Sequence, residues 1–469
     1  MAHEVMGAAF SRAAGASLSH GNRVEPLIDG RAHFQAWLAA IQQARHSIML
    51  ENYIVRDDEI GQAFLGALVQ AARNGIEVRV ICDWLGCLGA SGRRFWQPLI
   101  LAGGEIRVYN PPQWGKALQW ISRDHRKVLV VDGELGFLSG VCISAKWLGA
   151  PSRSVAPWRD TGVSLRGPVV IELLRAFAQS WQRTGGVLPP TIASRLDPEL
   201  EPGIRAGNMA VRLIATQPAT ATMFRVDQLI AAIARRSLWI TDAYFVGVAP
   251  YVQALAAAAR DSVDVRLLVP GSSDIPAVAS LSRAGYRPLL QAGVRVFEWN
   301  GSMLHAKTAV ADGQWARVGS SNLNIASWLN NQEIDLAVED PGFARQMEDQ
   351  YLRDLEQATE IVLAKRRHRS TVQIQGTRPP RPHHPGGSSG RAAASAIRLA
   401  NTVGAVIINR RVLDDQSPLP ALAGIGSLLL TAVIAIYRPA VLAWPCAALA
   451  LWMALNMAIA QWRRHRKPR

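Results

Sequence analysis

From residue 24 to about residue 363, short apolar runs alternate with longer segments in which apolar residues recur every three or four positions. The run 47–55 predicts a buried strand because it is rich in β-branched and aromatic residues. The segment after it predicts a helix that Asp57 or Asp58 can cap. Its apolar face is formed by Ile60, Phe64, Leu65, Leu68, Val69 and Ala72. Since residues 77–83 predict the next strand, the pattern indicates a βαβ unit in an α/β fold.

The same order of elements returns in the second half of the chain. Predicted strands at 237–246 and 263–270 enclose a predicted helix, as they do in the first half. In both halves a further short strand follows, at 106–110 and at 294–300, and a histidine motif comes after it. Four consecutive elements in matching order predict an internal duplication.

The composition changes after residue 363, where a basic run leads into a stretch rich in Pro, Gly, Ser and His that cannot bury enough apolar surface to order itself. We therefore predict a succession of segments along the chain. They are an N-terminal extension (1–22), a first repeat (23–190), a second repeat (205–364), a basic Pro/Gly-rich linker (365–391), a segment able to lie along a membrane interface (392–418), two transmembrane helices (419–462) and a basic tail (463–469).

The transmembrane prediction rests on two apolar runs, 420–437 and 439–462, each about the ~20 residues that a membrane span requires. Basic residues are concentrated before and after this hairpin, whereas only Arg438 lies within its short connection. By the positive-inside rule, both ends of the hairpin and the folded repeats should lie on the cytoplasmic side of the membrane. A buried helical hairpin in a soluble domain is the alternative.

Charge and cysteine content narrow the class of protein further. The formal net charge of +15 indicates polyanionic partners, either nucleic acid or an anionic membrane face. The four cysteines show neither zinc-site spacing nor a disulfide framework. Arg12 interrupts the apolar N-terminal patch, so a signal peptide is not expected.

The candidate chemistry lies in two motifs with equal internal spacing, each with a histidine, a lysine two residues later and an aspartate five residues after that. The motif residues are His125, Lys127 and Asp132 in the first copy and His305, Lys307 and Asp312 in the second. Residues two apart on a strand point to the same side, so each histidine and lysine can face one phosphate. A glycine follows each aspartate, so the aspartates should shape hairpin turns as well as the site.

With Ser320 and Asn322, the second copy matches HxKx4Dx6GSxN, and the chain thereby resembles the phospholipase D superfamily over residues 21–363. The contexts ENYIVRDDEIG, VYNPP and HRKVLVVDG are similar to the cardiolipin synthase branch, and we expect the B type. The resemblance implies two tandem α/β/α sandwich repeats that form one pseudo-twofold site. The first copy departs from the pattern at Cys142, which stands where the family has asparagine and which we interpret as a small buried residue.

The family mechanism implies that one histidine attacks phosphorus and the other acts as acid and then base, and we assign these roles to His125 and His305. Both motif lysines, Ser320 and Asn322 would hold the phosphate oxygens, without a metal or other cofactor. Carboxylates should orient the histidines across the repeats, Glu333 with His125 and Asp160 with His305. Solvated strand-edge acids are the alternative interpretation of these two residues.

The resemblance implies transfer of a phosphatidyl group between phospholipids to give cardiolipin at a membrane. Anionic phospholipids would be the partners: phosphatidylglycerol, with phosphatidylethanolamine or cardiolipin as further substrates. Hydrolysis of phospholipids to phosphatidic acid is the alternative, because water can resolve the same phosphohistidine. A nuclease and a non-catalytic membrane scaffold are less favoured.

Four tryptophans flank the first motif: Trp114, Trp120, Trp147 and Trp158. Their indole rings suit either the headgroup zone of a membrane or the protein core.

Overall fold

The computed structural model describes residues 2–112, 122–150, 152, 155–196 and 204–363. The first half of the chain contains these helices and strands in order: α1 (Ala2–Ala14), β1 (Ser19–Ile28), α2 (Asp29–Gln43), β2 (Ser47–Asn52), α3 (Glu59–Arg73), β3 (Glu77–Asp83), α4 (Arg93–Leu101), β4 (Glu105–Tyr109), β5 (Lys127–Val131), β6 (Leu135–Ser139), β7 (Thr161–Arg166), α5 (Val169–Arg183) and α6 (Pro190–Arg195).

The second half repeats much of this order. Its elements are β8 (Met209–Thr216), α7 (Thr222–Ile233), β9 (Ser237–Thr241), α8 (Ala249–Arg260), β10 (Asp264–Pro270), α9 (Pro276–Ala284), α10 (Tyr286–Gln291), β11 (Arg295–Trp299), β12 (Thr308–Ala311), β13 (Trp315–Gly319), β14 (Glu333–Glu339), α11 (Pro341–Leu355) and β15 (Ala358–Ile361). Short helical turns at Ala145–Leu148 and Ala326–Asn330 occupy matching places in the two halves.

All the strands join in one sheet with matching halves. β1 and β8 pair antiparallel at its centre. Outwards from β1 lie β7, β6, β5, β2, β3 and β4, and outwards from β8 lie β14, β13, β12, β9, β10 and β11, with β15 at the edge. The strands β2, β3 and β4 run parallel, as do β9, β10 and β11. This order confirms the predicted mixed α/β fold and the duplication.

Helices cover both faces of the sheet. On one face, α2, α3 and α4 pack on the strands of the first half, and α7, α8 and α10 pack on those of the second. On the other face, α5 and α11 share one apolar core with strands from both halves, including Phe177 and Trp181 on α5 and Phe343 on α11. Burial of side chains this large contributes about 2–3 kcal/mol each. The two halves are therefore held together through a common core.

Two predicted strands end earlier than their apolar runs. The run 47–55 is a strand only through Asn52, and the run 237–246 only through Thr241. In the first half the chain leaves the sheet because its backbone pairs with Ile143 instead: the Ile143 amide donates to the Ile54 carbonyl at 3.1 Å. The helix cap is Asp58, which accepts hydrogen bonds from the amides of residues 60 and 61.

The N-terminal extension contains structure that its sequence pattern did not predict. Helix α1 buries Phe10 and Ala14 in the core of the second half, and β1 already begins at Ser19. The segment is thus part of the packed molecule. The domain boundaries proposed above stay a prediction.

Within the described residues, none of the helices has the length and apolar character needed to cross a membrane. The linker, the interfacial segment, the transmembrane hairpin at 419–462 and the basic tail lie outside the described residues.

Candidate active site

Each histidine lies just before one of two matching strands. His125 comes two residues before β5, and His305 comes three residues before β12. Each is fixed by a backbone contact with the other half. The His125 amide donates to the Gln332 carbonyl at 2.9 Å, and the His305 amide donates to the Arg159 carbonyl at 2.7 Å. Because Gln332 and Arg159 directly precede Glu333 and Asp160, these contacts carry a carboxylate from each half to the histidine of the other.

Glu333 is the buried carboxylate at His125. Its Oε2 accepts a hydrogen bond from His125 Nδ1 at 2.8 Å and another from the Ser320 hydroxyl at 2.6 Å. Its Oε1 accepts from the Ser327 hydroxyl at 2.7 Å and from Asn331 Nδ2 at 3.3 Å. The carboxylate is held on both sides, and its contact with Nδ1 leaves Nε2 as the other ring nitrogen of His125.

Asp160 makes the corresponding contact with His305. Its Oδ2 accepts from His305 Nδ1 at 2.8 Å and from the Trp147 indole nitrogen at 2.9 Å, and its Oδ1 accepts from the Thr161 amide at 2.9 Å. Both carboxylates are fully buried and lie at the start of a strand, not at a solvated edge. The crossed contacts expected from the sequence are therefore present. That they serve to orient the histidines stays a proposal.

The site holds ionised carboxylates beside neutral imidazoles. Burial and then the Lys307 ammonium lower the pKa of His305 to about 3. Burial also lowers the pKa of His125, and the Glu333 carboxylate offsets part of that decrease. Burial alone would raise the pKa of Asp160, but the charges of His305 and Lys307 outweigh it and bring that pKa to about 2. At neutral pH without substrate, both imidazoles are therefore mainly neutral.

The motif lysines are buried against their histidines. Lys127 Nζ donates to the His125 carbonyl at 2.6 Å and lies 5.1 Å from the centre of the Tyr53 ring. Lys307 Nζ donates to the His305 carbonyl and lies 3.0 Å from His305 Nε2. Burial lowers the pKa of Lys307 to about 8. Burial also lowers the pKa of Lys127. Two lysine side chains next to the histidines suit a site for a phosphate anion.

The structure corrects the expectation that Asp132 and Asp312 belong to the reacting group. The carboxylate of Asp132 accepts hydrogen bonds from the amides of residues 45–47 at 2.7–2.9 Å. Asp312 accepts from the amides of residues 235–237 in the same way. Both stand at the far end of the strand from the histidine, in left-handed turn conformations with φ of 54° and 55°. They tie a hairpin turn to the start of a neighbouring strand.

Ser320 also has a different contact from the predicted one. Its hydroxyl donates to Glu333 and accepts from the Ile334 amide at 2.9 Å, so it holds the carboxylate and is not free for a phosphate oxygen. Asn322 is buried, and its side-chain oxygen has no hydrogen-bond partner among the described residues. An amide oxygen can only accept a hydrogen bond, so a contact with a phosphate oxygen would have to come from the amide nitrogen, and that contact stays a proposal.

Cys142, at the position that corresponds to Asn322, is buried, and burial raises the pKa of its thiol. A protonated buried thiol is a poor nucleophile. These observations favour the interpretation of Cys142 as a packing residue.

The contacts that four residues make near the histidines were not predicted from the sequence. The Tyr53 ring lies 4.8 Å from the His125 ring, and the Tyr244 ring lies 5.7 Å from that of His305, measured between centroids. Trp147 and Ser327, one from each repeat, donate to the two carboxylates. An alignment of the two repeats pairs Trp147 with Ser327, but nothing in the side-chain types reveals that an indole and a hydroxyl share a role. Of the other tryptophans, Trp158 is half-buried beside His305, and Trp114 and Trp120 lie outside the described residues.

The site combines two histidine–lysine pairs, one from each half of the chain. Each histidine contacts a buried carboxylate of the opposite half. This arrangement defines the composite two-histidine site of a phospholipase D-like fold. Comparison with known proteins narrows this class. A family model described as "Cardiolipin synthase, PLD-like domain" matches residues 37–148 and 228–355. The chain belongs to this family, and it is an enzyme of the phosphatidyltransferase type.

Individual relatives agree with this assignment. Cardiolipin synthase A of Pseudomonas aeruginosa is 35% identical over 362 residues, which cover 76% of this chain and 72% of the relative. Cardiolipin synthase A of Pseudomonas putida is 34% identical over 364 residues, which cover 76% and 73%. Phosphatidylserine synthase of Haemophilus influenzae Rd KW20 has a similar fold, with a TM-score of 0.58 at 16% identity over 75% of this chain and 92% of that one. Both cardiolipin synthases carry the A-type name and lend no support to the predicted B type.

Proposed function

We propose that this enzyme transfers a phosphatidyl group from one phospholipid to the glycerol hydroxyl of another and so forms cardiolipin. The observation that carries the proposal is the pair of crossed contacts, His125 with Glu333 and His305 with Asp160. They leave Nε2 of each histidine as the ring nitrogen that faces the reaction, as a double displacement at phosphorus requires, with Lys307 Nζ 3.0 Å from Nε2 of His305. The A-type names of the relatives supply the lipid substrate class.

In the first step, His125 Nε2 attacks the phosphorus of the donor lipid, the P–N bond forms, and the bond to the headgroup oxygen breaks. His305, protonated once the phosphodiester is bound, gives its proton to the departing oxygen. In the second step, the acceptor hydroxyl attacks phosphorus, the P–N bond breaks, and the hydroxyl proton returns to His305. Lys127, Lys307 and Asn322 contact the phosphate oxygens throughout.

We further propose that the donor and acceptor are anionic phospholipids, with phosphatidylglycerol as the principal substrate. The net charge of +15 favours an anionic leaflet over a neutral one. The predicted hairpin at 419–462 would hold the enzyme at a bacterial inner membrane with its catalytic part in the cytoplasm. A tether raises the local concentration of lipid at the site.

The test uses the full-length protein in vesicles of phosphatidylglycerol and phosphatidylethanolamine, without added metal, with products resolved by mass spectrometry. We expect cardiolipin from the wild type and none from His125→Ala or His305→Ala. Phosphatidic acid as the sole product would establish a hydrolase instead. No product from the wild type would show that the substrate is another phosphodiester or that the protein is a scaffold.

A further inference from the structure

The two sides of the active site differ at one charged position. When the repeats are aligned on His125 and His305, Lys146 corresponds to Ala326, and each lies in the short helical turn that follows its motif. The next residue in each turn contacts an orienting carboxylate: Trp147 donates to Asp160 and Ser327 donates to Glu333. Lys146 therefore belongs to the His305 side, and the His125 side has a methyl group in its place.

Lys146 and the His305 imidazole both lie next to the indole ring of Trp158. Its Nζ lies 5.3 Å from the centre of the Trp158 ring, and that ring lies 5.7 Å from the His305 ring. The Trp158 ring also packs on Trp147, at 4.7 Å between centroids. A cation on the face of an indole is held in place by the ring quadrupole.

This ammonium is free to bind an anion. Lys146 is exposed, and no carboxylate among the described residues forms an ion pair with it. The other lysines in the described part of the chain are Lys127 and Lys307, which are buried in the motifs. Lys146 is thus the one lysine of the described residues that lies beside the site and outside the motifs.

The chemistry of the second step places an anion on this side. An acceptor that attacks a phosphohistidine on His125 in line must enter from the side of His305, which takes its proton. Phosphatidylglycerol offers a hydroxyl at one end of its three-carbon headgroup and its own phosphodiester at the other end. The Trp158 ring lies 5.7 Å from the ring of His305 and carries the Lys146 ammonium on its face, so it is placed to meet that phosphodiester when the hydroxyl lies at His305. The glycerol that leaves in the first step carries no such charge.

We propose that Lys146, held on the face of Trp158, binds the phosphate of the acceptor phospholipid and thereby selects a phosphate-bearing alcohol over water or free glycerol. This inference rests on the proposed function and assigns the acceptor side of that site. Lys146 exchanges no proton and forms no covalent bond in either step. Its role is to bind and position the second substrate.

The test compares the full-length wild type with Lys146→Gln and Lys146→Arg in phosphatidylglycerol vesicles that contain deuterated glycerol. Cardiolipin reports transfer to a lipid, deuterated phosphatidylglycerol reports transfer to glycerol, and phosphatidic acid reports hydrolysis. Arg94→Gln is the matched control, because Arg94 is also an exposed cation, on α4, with no ion pair among the described residues. It corrects for the general loss of attraction to an anionic membrane.

For Lys146→Gln we expect cardiolipin formation to fall about ten- to a hundred-fold, the effect of losing one charge-assisted hydrogen bond. Transfer to glycerol and hydrolysis should stay within about two-fold of the wild type, because neither glycerol nor water carries a phosphate. Lys146→Arg should keep most of the cardiolipin activity, and Arg94→Gln should affect all three products alike.

Unchanged cardiolipin formation in Lys146→Gln, or an equal fall of all three products, would overturn the assignment. If the wild type exchanges glycerol but makes no cardiolipin, the proposed function fails. The Lys146 site is then tested with two soluble acceptors, by comparing the rate of transfer to glycerol 3-phosphate with the rate of transfer to glycerol. A wild-type preference for glycerol 3-phosphate that disappears in Lys146→Gln would support it, and a preference that is absent or survives the substitution would refute it.

Discussion

At the scale of single residues, the contacts of Glu333 make its charge testable. A glutamine at this position keeps the shape but offers one acceptor oxygen to four donors, so the imidazole of His125 loses its fixed tautomer. For Glu333→Gln we expect kcat to fall on the order of 10³-fold or more, as in triads that lose their carboxylate, with KM changed only a few-fold. Steady-state kinetics on mixed vesicles measure both, and Glu134→Gln, an exposed change, is the control. An unaltered kcat would remove the orienting role.

Cys142 and Asn322 occupy equivalent positions but should respond differently to truncation. Cys142 is a buried, protonated thiol, so Cys142→Ala should retain turnover within about two-fold and lose only packing energy. Asn322→Ala removes the amide nitrogen proposed to donate to a phosphate oxygen and should reduce kcat about ten- to a hundred-fold. Turnover rates per folded molecule distinguish the two substitutions, and thermal unfolding checks that each variant is folded. Loss of activity in Cys142→Ala comparable to that in Asn322→Ala would show that the thiol takes part in the chemistry.

At the scale of elements, the motif aspartates link a hairpin to the start of a neighbouring strand. Asp132→Ala leaves three backbone amides without their acceptor, which should cost about 2–3 kcal/mol of unfolding free energy. The histidine lies at the other end of the strand, so kcat per folded molecule should stay close to the wild-type value. Denaturant unfolding combined with kinetics on the folded fraction measures both, and Asp312→Ala should behave alike. A large fall in kcat at unchanged stability would show that these aspartates take part in the reaction.

At the scale of the whole molecule, burial of the site makes folding sensitive to mild acid. Because the pKa of His305 is about 3 in the folded state and near 6.5 in the unfolded chain, only the unfolded chain takes up a proton between those values. Stability should therefore fall with pH from about 6.5 downwards, by about 2 kcal/mol between pH 7 and pH 5 from this residue. The lowered pKa of Asp160 acts in a separate window, below about pH 4.

The measurement is denaturant unfolding at pH 7 and pH 5 of the wild type, of His305→Gln and of His46→Gln, whose side chain is exposed. His305→Gln should lose the part of the pH dependence that His305 contributes, whereas the buried His33 and His125, whose pKa values are also lowered, keep theirs. His46→Gln should keep all of it. Equal pH dependence in all three proteins would mean that His305 is not held neutral in the folded state.

The sequence by itself determined the mixed α/β class, the duplication and the residues of both histidine motifs. Periodicity and motif spacing are local properties that can be read from the sequence. Because the order of elements is repeated, each of these patterns occurs twice in the chain. Even the crossed partners of the histidines were expected, although that expectation came from the family resemblance and not from periodicity.

Only the tertiary structure decided how individual side chains are used. Ser320 holds a carboxylate, Asp132 and Asp312 clamp turns, and Trp147 matches Ser327, because such roles depend on which donors meet across strands far apart in the chain. The apolar run at 47–55 ends early as a strand because its backbone finds a partner in Ile143, which no local pattern contains. Hydrogen-bond satisfaction and burial are properties of the assembled core, and they decided what propensity alone left open.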